Sequence, residues 1–255
     1  MTDARPMLVL VVGSTGQTGR RVVAATTRHA LHLRALARDV ERARTILSEV
    51  DIVQSDLEKP DTLVAAVQDV DAIVFAHGAD SGGGSGSFER VDYGGVANTL
   101  RALGGRPVRI ALMTSINVTR RDSAYRELLD WKRRSERLVR ASGCPYTIVR
   151  PGWFDMTRRG DQRLVLEQGD TGSGAVGRDQ VAEVLIRSLL TDAAQGKTFE
   201  LFATTGEAPA DWNGLFASAA PDPPNALDGV KDPDNLPLDT EPASVRRDIE
   251  QIRVR

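Results

Sequence analysis

The chain has 255 residues, of which 41% are hydrophobic, and this is enough for the core of one large α/β domain. Its 33 basic and 35 acidic residues give a net charge of −2, so there is no positive excess to attract nucleic acid or an anionic membrane. One cysteine excludes an internal disulfide, and with only three histidines we expect no metal site. The first apolar run, residues 7–12, is too short to span a bilayer and no signal-peptide cleavage pattern follows it, which predicts a cytoplasmic protein.

Strands and helices are predicted to alternate through the first half of the chain. Short apolar or β-branched runs predict six strands, at residues 7–12, 31–37, 51–54, 72–76, 108–114 and 146–150. Segments of helical character lie between them, at residues 20–28, 40–47, 61–67, 94–103 and 125–141. The alternation predicts an α/β fold with a parallel sheet and helices on both faces.

Two segments interrupt this pattern. Residues 81–87 read SGGGSGS after the fourth predicted strand, and such a loop is either a surface linker or a mobile substrate loop. Seven of the twelve prolines follow Gly206, which predicts a mostly irregular segment, with a short helix at residues 244–254. We therefore expect a main domain over residues 1–205 that includes the substrate cleft, and a Pro-rich C-terminal extension over residues 206–255 that packs on or near it.

A glycine-rich turn follows the first predicted strand and opens the first predicted helix. It reads Gly13-Ser14-Thr15-Gly16-Gln17-Thr18-Gly19. In this context Gly13 permits the tight turn, Gly16 lets the backbone approach a pyrophosphate, and Gly19 allows close packing of helix on strand. The helix N-terminus offers free N–H groups and positive dipole to phosphates. The turn therefore predicts a dinucleotide site, with a purely structural turn as the alternative.

The spacing G-x-x-G-x-x-G resembles that of the short-chain dehydrogenase/reductase superfamily, and further segments agree with it. The segments at the ends of the third to sixth strands read Ser55-Asp56-Leu57, Ala76-His77-Gly78, Thr114-Ser115 and Arg150-Pro151-Gly152. Three further segments resemble the atypical, NmrA-like branch of this superfamily: the helix from Lys132 to Glu136, YTIVRPG at residues 146–152, and Arg178-Asp179-Gln180-Val181-Ala182. The resemblance covers residues 7–205 and implies an NAD(P)-binding Rossmann fold. We therefore expect one doubly wound α/β domain with strand order 3-2-1-4-5-6.

The resemblance and the predicted strand ends together indicate the site residues. Cofactor contacts are expected from Gly13, Ser14, Thr15, Gly16, Gln17, Thr18, Gly19, Arg38, Asp56, Leu57, Ala76, His77, Gly78, Thr114, Lys132, Pro151 and Gly152. Ser115 and Lys132 are expected to be catalytic, Ser115 by bonding a substrate carbonyl and Lys132 by holding the ribose. Tyr93, Trp153 and Phe154 are weaker candidates for lining the substrate.

The choice of cofactor depends on Arg38, the first residue past the second predicted strand. NAD enzymes usually present a carboxylate there to the ribose 2′-OH, whereas an arginine attracts a 2′-phosphate. Asp39 follows and is expected either to point away from the cofactor or to cap the next helix. The sequence thus favours NADP, with NADPH as the preferred form and NAD as the alternative; the other interpretation of Arg38 is a solvated surface residue.

The superfamily's catalytic tyrosine stands four residues before the lysine, and here that position is Leu128. Leucine cannot donate a proton, so ordinary carbonyl reduction is not expected. Helical periodicity makes Lys132 the charged residue closest to the apolar face of its helix, and the other charged residues fall farther round. Lys132 is then either a ribose ligand or a snorkelling side chain. Candidates for a replacement proton donor are Tyr93, Tyr125 and His77.

Three functions follow, in order of preference. The first is an NADPH-dependent oxidoreductase of the atypical short-chain type that passes hydride to a small acceptor such as a quinone or flavin, because such acceptors take their protons from water. The second is a non-catalytic, NADP(H)-sensing regulator of the NmrA-like type. The third is a sugar-nucleotide epimerase or dehydratase, which would normally use the missing tyrosine. The sequence leaves the oligomeric state open.

Overall fold

The strands form one eight-stranded sheet and one small two-stranded sheet in the computed structural model, which describes residues 5–47, 49–79, 84 and 86–253. The strands of the large sheet are β1 (Leu8–Val12), β2 (His32–Ala37), β3 (Asp51–Gln54), β4 (Ala72–Phe75), β5 (Arg109–Met113), β6 (Tyr146–Pro151), β8 (Arg163–Glu167) and β10 (Lys197–Thr204). The small sheet pairs β7 (Trp153–Phe154) with β9 (Ala175–Val176).

The strand order of the large sheet is β3-β2-β1-β4-β5-β6-β10-β8, which confirms the predicted fold class and contains the predicted order. Two strands of this sheet were not predicted: β10, which runs parallel to β6, and β8, which runs antiparallel to β10 at the sheet edge. A helix separates these two strands along the chain, so no local sequence pattern predicts that they pair. The carboxyl ends of the parallel strands meet at one edge of the sheet, where ligands bind in this architecture.

Eight α-helices occur in the described part of the chain. They are α1 (Gln17–Arg28), α2 (Val40–Ile46), α3 (Pro60–Val67), α4 (Gly94–Leu103), α5 (Arg126–Ala141), α6 (Arg178–Leu190), α7 (Trp212–Ala217) and α8 (Ala243–Arg253). A π-helical turn, Phe88–Tyr93, leads into α4. α1 begins earlier than predicted because Gly16 is its N-cap, so the helix starts inside the glycine-rich turn. No described helix is long and apolar enough to cross a membrane.

The sheet is buried on both faces, so successive residues of a strand enter different cores. Ile73 of β4 packs with the side chains of α3, α4, α5 and α8, whereas its neighbour Val74 packs with those of α1 and α6. This explains why the strands read as continuous apolar runs. Both cores fix the strand ends that form the candidate site.

The C-terminal extension covers the charged side of α5. Asp228 accepts hydrogen bonds from Arg133 and Arg137, and Glu241 accepts them from Arg134 and Arg137. The guanidinium of Arg133 is completely buried. The expectation that the charged residues of α5 lie away from the interior is therefore wrong for this side of the helix. Helical periodicity could not reveal acidic partners that a distant segment supplies.

Candidate functional site

The glycine-rich turn packs tightly against the end of β4. Gly13 has a left-handed backbone (φ 83°), and a side chain there would come within 2.7 Å of the Cα of His77. A side chain at Gly19 would overlap the carbonyl oxygen of Gly13. At Gly16 an added Cβ would meet only that same oxygen, at 3.2 Å. Gly13 and Gly19 therefore serve the packing of the protein itself, and Gly16 leaves open space beside the turn.

The open space lies at the N-terminus of α1. Gly16 caps this helix without a side-chain hydrogen bond, and no acidic residue stands in its first turn. The hydroxyl of Ser14 is turned inward and donates to the carbonyl of Leu36 at 2.9 Å, which ties the turn to β2. Backbone N–H groups, a positive helix end and a cradle without side chains are what a pyrophosphate requires. The turn fits a dinucleotide.

Arg38 is exposed just past β2, where it was expected to meet a 2′-phosphate. In the described residues its guanidinium makes no ion pair. The next residue, Asp39, caps α2 as predicted, because its carboxylate accepts the amide of Arg42 at 2.9 Å. The carboxylate at this strand end is therefore occupied and the guanidinium is available.

Asp56 and Leu57 follow β3, at the expected adenine side. Asp56 uses one carboxylate oxygen to accept the amide of Glu58 at 3.1 Å. Leu57 is buried against α4, where a side chain added to Gly95 would come within 2.9 Å of it. Asp56 thus shapes the loop, and Leu57 supports the floor of the site; contact of either with adenine stays a prediction.

His77 is a neutral imidazole held at the end of β4. Burial lowers its pKa from 6.5 to about 4. Nε2 donates to the carbonyl of Val91 at 3.1 Å, and the buried Nδ1 has no hydrogen-bond partner among the described residues. The single ring proton is therefore already engaged, which corrects the suggestion that His77 is the replacement proton donor. Its predicted place beside the cofactor is unaffected.

Lys132 reaches the same strand end from α5. Its ammonium donates to Asp92 at 2.7 Å, and a side chain added to Gly78 would lie 3.7 Å from it. Asp92 stands in the π-helical turn before α4, and its second oxygen accepts the amide of Ala79 at 3.0 Å. The lysine is thus next to the segment Ala76-His77-Gly78, and its charge is neutralised by a buried carboxylate. Its contact with a ribose stays a prediction.

The three tyrosine-related positions offer no acid on the inner side of α5. Leu128 is partly buried, and Tyr125 precedes the helix with 68% of its surface exposed. Tyr93 is buried against Trp131, and its hydroxyl donates to Asp248 of α8 at 2.9 Å. Burial and Asp248 raise the pKa of that phenol well above its usual range. These contacts correct the expectation that Tyr93 lines the substrate.

Thr114 and Ser115 end β5 with different surroundings. Thr114 is buried and its hydroxyl donates to Glu136 Oε1 at 2.7 Å, so its side chain faces α5 rather than a cofactor. Ser115 is half-buried, and its hydroxyl makes no hydrogen bond within the described chain. The serine hydroxyl is therefore the one available to a ligand at this strand end.

The segment after β6 packs partly on the protein itself. Pro151 accepts the amide of Ile116 at 3.1 Å, and a side chain at Gly152 would overlap Gly174. Trp153 is 48% exposed. Phe154 lies beneath the guanidinium of Arg178, 4.3 Å from its ring centre. Trp153 thus remains a candidate substrate wall, and contact of Pro151 and Gly152 with a nicotinamide stays a prediction.

The predicted substrate loop at residues 81–87 lies largely outside the described residues, since 81–83 and 85 are not among them. Two residues at the site were not predicted from the sequence: Asp92 and Glu136. Both are buried acids that pair with residues far away along the chain. A buried acid carries no motif of its own, and the only available signal was the proximity of Glu136 to Lys132 on one helix.

Comparison with known proteins connects this site to a family. The profile of the NAD(P)H-binding family matches residues 13–192. An uncharacterized chloroplastic protein of Arabidopsis thaliana is 32% identical, over 82% of this chain and 81% of that protein. Sanguinarine reductase of Eschscholzia californica is 26% identical, over 84% and 97% of the two chains. A putative NAD-dependent epimerase/dehydratase from Bacillus halodurans superposes with a TM-score of 0.71 at 25% identity, over 80% and 96%.

Proposed function

Because this chain belongs to the NAD(P)H-binding family, of the atypical short-chain dehydrogenase/reductase type, we propose that it is an NADPH-dependent oxidoreductase. Its acceptor is a small molecule that needs no acid from the protein, such as a quinone or a flavin. The relative that bears the name of a reductase supports a redox function. We also propose that the enzyme works in the cytoplasm, which cell fractionation can test.

One observation carries the choice of acceptor: the inner face of α5 has a neutralised lysine and no phenol. Leu128 stands one turn before Lys132, and Asp92 holds the ammonium at 2.7 Å. Reduction of an aldehyde or ketone needs a proton at the carbonyl oxygen from a positioned acid. A reduced quinone or flavin takes its proton from water, so an acceptor of this kind suits the site.

The residues of the chain bind and orient the two reactants. When bound, NADPH supplies the hydride. The turn around Gly16 would hold its pyrophosphate, Lys132 its ribose and Arg38 its 2′-phosphate. Ser115 would donate a hydrogen bond to the acceptor's oxygen, and Trp153 would cover its apolar face. Such orientation is a large part of what catalysis needs when no proton has to be transferred by the protein.

The relative solved as a putative epimerase/dehydratase suggests a second candidate, a sugar-nucleotide epimerase. The same observation argues against it, because that chemistry normally uses the tyrosine that Leu128 replaces. A sensor that binds NADP(H) without turnover is compatible with the missing acid. Turnover therefore separates the proposed enzyme from the sensor.

The test is oxidation of NADPH by the purified protein with a panel of quinones and flavins. We expect turnover, with Tyr125→Phe within a few-fold of the parent, because Tyr125 is exposed before α5. Lys132→Ala is expected to lower kcat by about 100-fold, because a misplacement of about 1 Å can cost that much. A large loss in Tyr125→Phe with intact NADPH affinity would return carbonyl reduction to the site. Tight NADPH binding without turnover of any acceptor would identify a sensor.

A further inference from the structure

Two buried carboxylates hold the loop that carries Ser115, one on each side of it. Before the serine, the hydroxyl of Thr114 donates to Glu136 Oε1 at 2.7 Å. After it, the amide of Asn117 donates to Asp170 Oδ1 at 2.6 Å. Asp170 Oδ2 also accepts the amide and the hydroxyl of Thr119, at 2.8 and 3.0 Å. The backbone around Ser115 therefore has little freedom.

The two carboxylates are themselves connected, through Arg150 and Glu200. Arg150 donates to both oxygens of Glu136, at 3.0 and 2.7 Å. It also donates to Glu200 Oε1 at 3.1 Å, and Glu200 Oε2 accepts the amide of Asp170 at 3.0 Å. The hydrogen bonds thus form a closed circuit that leaves the loop at one end and returns at the other. Its members are Thr114, Glu136, Arg150, Glu200, Asp170 and Asn117.

Burial makes the circuit rigid. The side chains of Glu136, Arg150 and Glu200 are 0% exposed, and Asp170 is 2% exposed. A buried charge that loses one partner cannot turn to water, and Arg150 is held in addition by Asp232, whose two oxygens accept from it at 2.7 and 2.6 Å. Asn117 and Asp170 also have left-handed backbones, with φ of 70° and 55°. Asparagine and aspartate adopt this conformation more readily than other non-glycine residues.

Three members of the circuit lie away from the glycine-rich turn and from Lys132. Arg150 lies on β6, Glu200 on β10 and Asp170 in the segment between β8 and β9. None of these three residues contacts the glycine-rich turn or Lys132 through a hydrogen bond in the described chain. A change in the circuit should therefore act on the serine and leave dinucleotide affinity nearly unaltered.

We propose that Asp170 and Glu200 are positioning residues that hold Ser115 at the cleft by closing this buried circuit. The inference rests on the proposed function in taking Ser115 as the residue that faces the substrate. Neither acid touches the reacting atoms. Their contribution is to keep the serine hydroxyl within the sub-ångström tolerance that orientation of an acceptor demands.

The first variant is Glu200→Gln, at a residue that makes no hydrogen bond to residues 114–120 within the described chain. The glutamine matches the size of the glutamate but has only one acceptor oxygen for two donors, Arg150 and the amide of Asp170. We expect backbone amides in residues 114–120 of the full chain to exchange hydrogen at least several-fold faster, measured by mass spectrometry at about pH 8, where the glutamate is ionised. The Kd of NADPH should stay within about twofold.

The second variant is Asp170→Asn, which keeps a residue that tolerates the left-handed backbone but removes one acceptor from the donors of Asn117 and Thr119. It should loosen the same segment more strongly and lower kcat/KM for the acceptor by about 10- to 100-fold. In a Ser115→Ala background it should cost almost nothing further, because its effect acts through the serine. The matched control is Asp211→Asn. The carboxylate of Asp211 accepts the amide of Gly214 at 2.9 Å and caps α7, so its replacement should change neither the hydrogen exchange of residues 114–120 nor kcat/KM.

Parental exchange rates in Glu200→Gln would overturn the proposal, since a closed circuit must transmit the change. The proposal would also be overturned if Asp170→Asn lowered kcat/KM as much in the Ser115→Ala background as in the parent. If the parent turns over no acceptor, the proposed function fails but the exchange measurement still decides the circuit. Faster exchange in residues 114–120 with unchanged NADPH affinity would then support a positioned Ser115 in a binding protein.

Discussion

The pair of Lys132 and Asp92 determines what this lysine contributes. A cation beside a phenol lowers the pKa of the phenol, but the position one turn earlier is Leu128. Asp92 is 2.7 Å from the ammonium and neutralises its charge, while the ammonium retains donors for ribose hydroxyls. At this position the protein therefore provides orientation rather than acidity.

Arg38 determines the preference between the two cofactors in our proposal. Arg38→Ala should weaken NADPH binding by about tenfold to a hundredfold and leave NADH nearly unchanged, because a charge-assisted hydrogen bond contributes about 1.5–3 kcal/mol. Fluorescence titration with both nucleotides measures this. Arg44→Ala is the control, since that exposed arginine pairs with Glu41 at 2.7 Å on α2. Equal losses for both nucleotides would show that Arg38 does not read the 2′-phosphate.

At the scale of elements, α1 and the glycine-rich turn act as one unit. A side chain at either outer glycine, Gly13 or Gly19, would overlap backbone atoms, whereas one at Gly16 would need the carbonyl oxygen of Gly13, 3.2 Å away, to move by only a few tenths of an ångström. Glycine at position 16 therefore leaves the N-terminus of α1 open.

Gly16→Val separates binding from folding. The backbone of Gly16 (φ −71°, ψ 169°) is one that valine adopts readily, so the circular dichroism spectrum should be unchanged. The branched side chain would occupy the space of the pyrophosphate, and we expect NADPH binding to be lost in a fluorescence titration. Binding at parental affinity would mean that the turn is only structural.

The second element-scale feature is the attachment of the C-terminal extension to α5. Asp228→Ala removes a carboxylate that Arg133 and Arg137 share. We expect the free energy of unfolding to fall by about 3 kcal/mol. This is the lower end of the range for a broken buried ion pair, because both guanidiniums keep other hydrogen-bond acceptors. Urea denaturation measures the change. Asp234→Ala, at an exposed position six residues later, should cost little. Equal effects of the two variants would mean that the buried pairs do not hold the extension.

For the whole molecule, two buried groups make opposite contributions to the dependence of stability on pH. Burial raises the pKa of Glu200 from 4.5 to about 7, so between these values the folded state holds a proton that the unfolded state has released. Glu200 thus stabilises the fold at low pH, and this contribution is lost as the pH rises through 7. Burial lowers the pKa of His77 from 6.5 to about 4, so its contribution is lost as the pH falls through 4.

The pH ranges over which Glu200 and His77 affect stability overlap, so their opposite effects partly cancel in the parent protein. Variants that remove one group at a time should reveal each effect. Relative to the parent, Glu200→Gln should gain about 3 kcal/mol between pH 4.5 and 7 as the pH rises, at about 1.4 kcal/mol per pKa unit. His77→Asn should show the opposite sign, with its advantage growing as the pH falls from 6.5 to 4. Urea denaturation across this range measures both. A pH-independent difference for Glu200→Gln would show that this carboxyl titrates normally.

The sequence by itself determined the features that depend on near neighbours in the chain. Apolar runs predicted six strands, and the glycine spacing predicted an open helix N-terminus after β1. Asp39 was correctly expected to cap α2. The absence of the catalytic tyrosine could also be read directly, at Leu128. The strands, the glycine turn and the cap follow from backbone geometry or periodicity over a few residues, whereas the strand order and the missing tyrosine follow from the family resemblance.

Only the tertiary structure decided which charges are buried and with whom. Asp92 pairs with Lys132, Glu136 with Thr114 and Arg150, and the acids of the extension with the arginines of α5. Tyr93 turned out to face Asp248 rather than a substrate for the same reason. Charged residues are normally solvated, so a sequence pattern assigns them to the surface. They become buried only when segments far apart in the chain meet and supply complementary charge, and this depends on the fold as a whole.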